Sequence, residues 1–170
     1  MRFVIDILVW GRGEQMEKRE LERIVDTYFD MVLRIAYQNT KNYADAEDIC
    51  QEVMIKVMKQ SLFEDEKYLR AWLIRVTINH CHDYHRSFWR KKRKYIDETN
   101  IAAPIESQFV FDELWKLPVF DRNILYLYYF EGYTIKEIGF LLNKKQNTIN
   151  SRLTRARKKL KMIMEDSENG

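Results

Sequence analysis

Five apolar side chains near the C-terminus, Ile149, Leu153, Ala156, Leu160 and Ile163, follow one another at intervals of 4, 3, 4 and 3 residues. That rhythm keeps them on one face of an α-helix and would scatter them over both faces of a strand. The stripe is narrow, because Asn147, Asn150, Ser151, Arg152, Thr154, Arg155, Arg157, Lys158 and Lys159 occupy the rest of the surface. Such a helix must lay its thin edge on a neighbour and turn a cationic remainder outward. The neighbour stands just upstream, where Ile135, Ile138, Leu141 and Leu142 repeat at helical spacing. Thr134 and Glu137 form a capping box at its start, and about four Asn/Lys-rich residues join the two segments.

Two short helices joined this tightly, the second basic and outward-facing, make a helix-turn-helix. A DNA major groove admits one helix, whose first turns meet the base edges. Asn150 suits adenine edges, Ser151 is adaptable, and Arg155 suits guanine or phosphate. Lys144, Lys145, Arg157 and Lys158 suit phosphates, which give affinity rather than sequence choice. Taken alone, the same pattern also describes a bundle helix with a solvated face.

The rest of the chain carries the same helical signature. Leu21, Ile24, Val25, Tyr28, Val32, Ile35 and Ala36 predict a helix over about 17–37. Asp45 or a neighbour starts a second, with Ile49, Val53, Val57 and Met58 on one face, and a third runs over about 68–89. The segment after Trp89 has no period and contains Pro104, so it reads as a linker. Helical character returns at Val110, and a strongly apolar helix after Pro118 ends at Gly132, a natural C-cap residue. Only 5 Gly and 2 Pro argue against a loop-rich all-β protein. The fold class expected is all-α: two small helical domains joined by a flexible linker, the C-terminal one a helix-turn-helix.

Charge divides along the chain. From Glu14 to Glu66 there are 13 acidic and 7 basic residues, whereas from Ile138 to Met164 there are 8 basic residues and no acid. That asymmetry points to a polyanion for the basic parts and a different partner for the acidic part. Cys50 and Cys81 lack any scaffold or zinc spacing, so a reduced, cytoplasmic protein is expected. The apolar run in residues 1–15 is broken by Asp6, too short for a membrane span and weak as a signal peptide. Those residues read as an extension, or as a start assigned too early.

The third helix shows two stripes. Leu69, Leu73, Val76, His80 and Tyr84 predict the inner one; Arg75, Asn79, His82 and Arg86 form a polar one that runs into basic residues with Phe88 and Trp89. Basic groups interleaved with aromatics suit unpaired DNA. Leu62 and Phe63, in the loop before this helix, are apolar residues able to line a pocket for an extruded base, or to pack beneath a turn. His80, Cys81, His82 and His85 invite zinc, but neighbours on a helix diverge, and helix-packing histidines are the better reading. No nucleophile–base pair or phosphate-binding Gly loop stands out, so neither an enzyme nor a cofactor is expected.

Three strings carry a family resemblance: DAEDICQEVMIKV (45–57), YLRAWLIRVTINHCHDYHR (68–86) and LPVFDRNILYLYYFEGYTIKEIGFLLNKKQNTINSRLTRARKKL (117–160). In this order, with a linker between, they resemble bacterial RNA polymerase sigma factors of the extracytoplasmic-function group, over roughly residues 17–164. The resemblance implies a region 2 domain at 16–90, a linker at 91–109 and a region 4 domain at 110–166. It implies that Asp48, Gln51, Glu52 and Ile55 dock on the polymerase clamp helices. It implies that Leu62, Phe63, Arg75, Asn79, His82 and Arg86 open the −10 promoter element. It implies a −35 reader built on Lys145, Thr148, Asn150, Ser151, Arg152, Thr154, Arg155 and Lys158. The implied partners are core RNA polymerase, promoter DNA and an anti-sigma factor; no small-molecule substrate and no membrane insertion are implied. Against the family pattern, Gly139 stands where Ala is usual, and a mid-helix glycine is expected to cost about 1 kcal/mol. Two other readings compete: a stand-alone helix-turn-helix regulator, and a helical adaptor whose basic helix grips an acidic partner.

Overall fold

Helix α1 spans Lys18–Thr40, α2 Tyr43–Met58 and α3 Glu66–Lys92; α4 spans Asp112–Trp115, α5 Val119–Tyr129, α6 Ile135–Leu141 and α7 Gln146–Glu168. This computed structural model describes residues 18–60, 63–92 and 112–168, and all regular structure among them is helical. The chain divides into two units between residues 102 and 103, the first holding α1–α3 and the second α4–α7. The expected extension at 1–15 lies outside the described residues. So does the expected linker, except that α3 runs on through Lys91 and Lys92.

In the first unit α1 packs on α2 and α3, and α2 on α3. The whole predicted stripe of α1, Leu21 to Ala36, is buried, and Ile49, Val53 and Val57 of α2 meet it. Each fully buried Ile, Leu or Val contributes about 1.5–3 kcal/mol. The α1–α2 turn is made by Lys41, at φ +59, and Asn42 caps α2 by accepting the Asp45 N–H at 3.2 Å. The inner face of α3 differs from its predicted stripe. Leu69 and Leu73 are buried as expected, but Ile74, Thr77, Ile78 and Cys81 complete the face, while Val76, His80 and Tyr84 sit half-buried at its margin. Because α3 packs against two helices, its buried arc is wider than one stripe and turns toward α1 and α2 together. Thr77 enters the core by donating its hydroxyl to the Leu73 carbonyl at 2.7 Å.

The start of α3 is tied to α1 by a small ionic cluster. Glu66 accepts from Arg23 Nη1 and Nη2, each at 3.0 Å, and from the Tyr28 hydroxyl at 2.5 Å. The Arg23 and Tyr28 hydrogen bonds hold the Glu66 carboxyl below its ordinary value.

In the second unit α5 is buried nearly all round, and Ile124, Leu125, Tyr126 and Leu127 form its core face. Arg122, almost fully buried, donates from Nη1 to the Leu117 carbonyl at 3.0 Å and the Trp115 carbonyl at 3.3 Å, pinning the turn around Pro118. The helix ends at Tyr129 with Phe130 as its cap, and Gly132 follows two residues later at φ +72. Gly132 is therefore the residue that reverses the chain, just beyond the cap position expected of it. The Thr134–Glu137 capping box forms as predicted.

Gly139 corrects the expectation of a simple helix cost. Its carbonyl accepts the Lys144 N–H at 2.8 Å, and a Cβ there would lie 2.8 Å from the Lys144 carbonyl oxygen. The tight turn, with Asn143 at φ +51, closes directly on the glycine. Gly139→Ala should therefore lower stability by about 1 kcal/mol or more, although alanine favours helix; urea denaturation of the full chain checks the sign. A gain in stability would contradict the close approach.

Glu66→Gln should cost less than about 1 kcal/mol at pH 7, since the cluster is half exposed. The wild-type advantage is present above the ordinary carboxylate value and vanishes as pH falls through the lowered folded value, where Glu66 itself is protonated. Parallel denaturation curves from pH 7 to pH 3 read this directly.

Candidate nucleic-acid interface

Helix α7 rests on α4, α5 and α6. Ile149, Leu153 and Ala156 are buried to 1% exposure or less, whereas Leu160 and Ile163 are half-buried. The thin edge is thus sealed over two turns and loosens toward the C-terminus. This is the packing that turns the rest of the helix outward. Lys145, Thr148, Asn150, Ser151, Thr154, Arg155 and Lys158 are all exposed. At 100° per residue, Asn150, Ser151, Thr154 and Arg155 share the face opposite the buried edge.

Three of those side chains are tied to their own helix. Ser151 donates to the Asn147 carbonyl at 2.8 Å, Thr154 to the Asn150 carbonyl at 3.0 Å, and Arg155 Nε to the Ser151 carbonyl at 3.2 Å. Each hydroxyl keeps its acceptor lone pairs, suited to the amino groups of adenine or cytosine. Arg155 keeps its Nη groups for a bidentate acceptor such as guanine or phosphate. Lys144 and Lys145, in the four-residue turn 142–145, are exposed just before the first turn of α7, whose N-terminus favours anions.

Two arginines of the helix stand apart from this face. Arg152 is half-buried, with Nη1 3.4 Å from Asp121 Oδ1 and its guanidinium 5.6 Å from the Phe120 ring centroid. Arg157 lies over Tyr128 at 5.0 Å and Tyr129 at 5.3 Å, so aromatic rings of α5 hold it rather than leaving it to roam. The signal for both was the aromatic and acidic content of VFDRNILYLYY, but nothing in one sequence says which side of α7 meets it.

The first unit presents two separate surfaces. Arg75, Asn79, His82 and Arg86 are exposed along α3, as the second stripe predicts, with Arg86 Nη2 2.8 Å from Asp83. Leu62 lies outside the described residues, as do the side chains of Phe88 and Trp89. Phe63 is half-buried, edge-on to Trp72 at 5.3 Å and tilted to Tyr68 at 6.4 Å. The loop residue therefore belongs to an aromatic cluster on the first turns of α3, where Tyr68 is half exposed. Sequence reasoning named Phe63 but missed Tyr68 and Trp72, whose spacing of four places them on one helix face.

On α2, Asp48, Gln51 and Glu52 are exposed and Ile55 is half-buried on the side away from the core. Glu52 also reaches His80 of α3, whose Nδ1 lies 3.0 Å from its carboxylate. His85 Nε2 lies 2.8 Å from the Asn39 carbonyl and must donate to it. Both histidines thus bind helices together, in keeping with the packing reading of that cluster. Cys50 and Cys81 are buried free thiols; burial pushes both up, Cys81 to about 12, so both pack as neutral side chains. Among the described residues no helix is long and apolar enough to cross a membrane.

Comparison with known proteins meets this geometry in both units. The family model for Sigma-70 region 2 matches residues 24–91, and that for Sigma-70, region 4 matches residues 113–160. The ECF RNA polymerase sigma factor SigE of Mycolicibacterium smegmatis is 30% identical over 162 residues, covering 88% of this chain and 63% of its own length. The chain therefore spans just under two thirds of that relative. The ECF RNA polymerase sigma factor SigW of Bacillus subtilis is 26% identical over 189 residues, covering 95% of this chain and 100% of its own. Among solved structures, the sigma factor RpoE of Bartonella quintana, in complex with the anti-sigma factor NepR, has a TM-score of 0.71 at 20% identity. The alignment covers 86% of this chain and 98% of that one, and at such identity it speaks for the fold. Two sigma-70 family models in order along the chain, on two helical units of the matching fold, establish that it belongs to the sigma-70 family, in the extracytoplasmic-function group.

Proposed function

We propose that this chain is an alternative promoter-specificity subunit: it binds core RNA polymerase, recognises −10 and −35 promoter elements, and starts transcription without catalytic residues of its own. The observation that carries this reading is α7, whose buried Ile149–Leu153–Ala156 edge turns Asn150, Ser151, Thr154 and Arg155 outward on one face. On this reading that face meets the −35 bases, while Lys145, Lys158 and Thr148 meet the backbone around them. The exposed stripe Arg75, Asn79, His82 and Arg86, with Leu62 and Phe63 before it, handles the −10 element. The outer face of α2, with Asp48, Gln51, Glu52 and Ile55, docks on polymerase. On this reading the protein acts in the cytoplasm, with polymerase and promoter. A protein inhibitor of the anti-sigma class is a further expected partner, supported by the fold relative solved with NepR.

Purified chain should bind core polymerase at low salt and direct transcription from promoters mapped by sequencing transcripts after overexpression. Failure to bind core polymerase would overturn the reading, and tight footprinted binding to duplex DNA without polymerase would favour a stand-alone regulator instead. The two surfaces should separate. Asn150→Ala and Arg155→Ala should each lower transcription from such a promoter by roughly 5- to 100-fold, the worth of a base contact, with core binding unchanged. Asp48→Lys should weaken core binding by about tenfold and leave the −35 preference intact.

A further inference from the structure

We propose that Arg152 is a positioning residue for −35 recognition: braced on Asp121 and Phe120, it sets the roll of α7 on α5 and so decides which bases meet Asn150, Ser151 and Arg155. This rests on the reading of α7 as the −35 helix. The buried edge of that helix is thin. Ile149, Leu153 and Ala156 span only about 60° of its circumference at 100° per residue, and Leu160 and Ile163 are half-buried. An edge of that width, ending in an alanine, fixes how far α7 stands from α5 but opposes rotation about its own axis weakly. Arg152 lies about 70° to one side of the edge, between it and Arg155. From there its side chain crosses to α5, 3.4 Å from Asp121 Oδ1 and 5.6 Å from the Phe120 centroid.

The α5 end of the brace is firm. Asp121 is 8% exposed, so its carboxylate needs a compensating charge. It is the third residue of α5, whose cap residue Pro118 offers no side-chain bond, so it sits at the positive end of the helix dipole. Arg122, next in sequence, anchors the same turn to the Leu117 and Trp115 carbonyls. For Arg152 to serve a phosphate instead, it would have to abandon both partners and leave the acid without its cation. The guanidinium fork and flat face suit the pair of partners better than a lysine would.

The test uses the full chain with core polymerase on a mapped promoter whose −35 element is randomised, read by transcript sequencing. Arg152→Gln and Asp121→Asn should each flatten the −35 base preference by about tenfold, and the double variant should be no worse than either, as one shared interaction requires. The salt dependence of promoter binding should be unchanged, because no phosphate contact is lost. Arg152→Lys, which keeps the charge and the fold but not the fork, should flatten the preference in the same direction. The proposal is overturned if Asp121→Asn leaves the preference intact, or if Arg152→Gln lowers the salt slope by about one with the preference kept, the mark of a phosphate contact. Melting curves accompany each variant, and if the Gln or Asn variant unfolds, Arg152→Lys decides alone. Asn150→Ala is the control: if it too leaves the preference untouched, the assignment of α7 as reader has failed rather than the brace.

Discussion

Burial of three small or medium side chains along one edge of α7 is the interaction on which the second unit depends. Ile149, Leu153 and Ala156 are at most 1% exposed against the helices beneath them. A wider apolar stripe would have sunk more of the helix and hidden Asn150, Ser151, Thr154 and Arg155, which are exposed. A thinner one would not have held a helix carrying Arg152, Arg155, Arg157, Lys158, Lys159 and Lys161 to any surface. The compromise works because α5 supplies auxiliary holds at the flanks. Asp121 and Phe120 take Arg152, and Tyr128 and Tyr129 take Arg157. Two cations that look like part of an undivided basic surface thus lie against side chains of α5.

The turn between α6 and α7 shows the same economy in backbone terms. Asn143 accepts a left-handed conformation, and Gly139 leaves room for the Lys144 carbonyl where a side chain would collide. The angle between the two helices is thus decided by a close approach of main chain to main chain, before any side chain of α7 is considered. The first unit uses the opposite strategy. Its three helices bury broad faces, and α3 in particular gives Leu69, Leu73, Ile74, Thr77, Ile78 and Cys81 to the interior. The outward faces of α2 and α3 carry two unlike surfaces, an acidic one around Asp48 and a basic one around Arg75 and Arg86. Polar cross-ties, His80 to Glu52 and His85 to the Asn39 carbonyl, fasten helices at the margins of the core.

The amino-acid sequence by itself determined the helices, the interior of α1, the capping box at Thr134, the inward edge of α7 and the exposed face around Asn150 and Arg155. Each of these follows from a period of 3.6 residues or from a hydrogen bond between residues a few positions apart, and both are local. Tertiary structure alone decided the rest. It turned the buried face of α3 toward Ile74 and Ile78, since two packed neighbours cover a wider arc than one stripe predicts. It gave Gly139 a role that helix propensity misjudges, because the carbonyl it accommodates arrives from a later turn. It also set Arg152, one of an unbroken series of cations, against an aspartate 31 residues away. Charge and spacing along the chain are blind to such partners: a pairing across space depends on how two helices are rotated about their axes, and that rotation exists only once the core has closed.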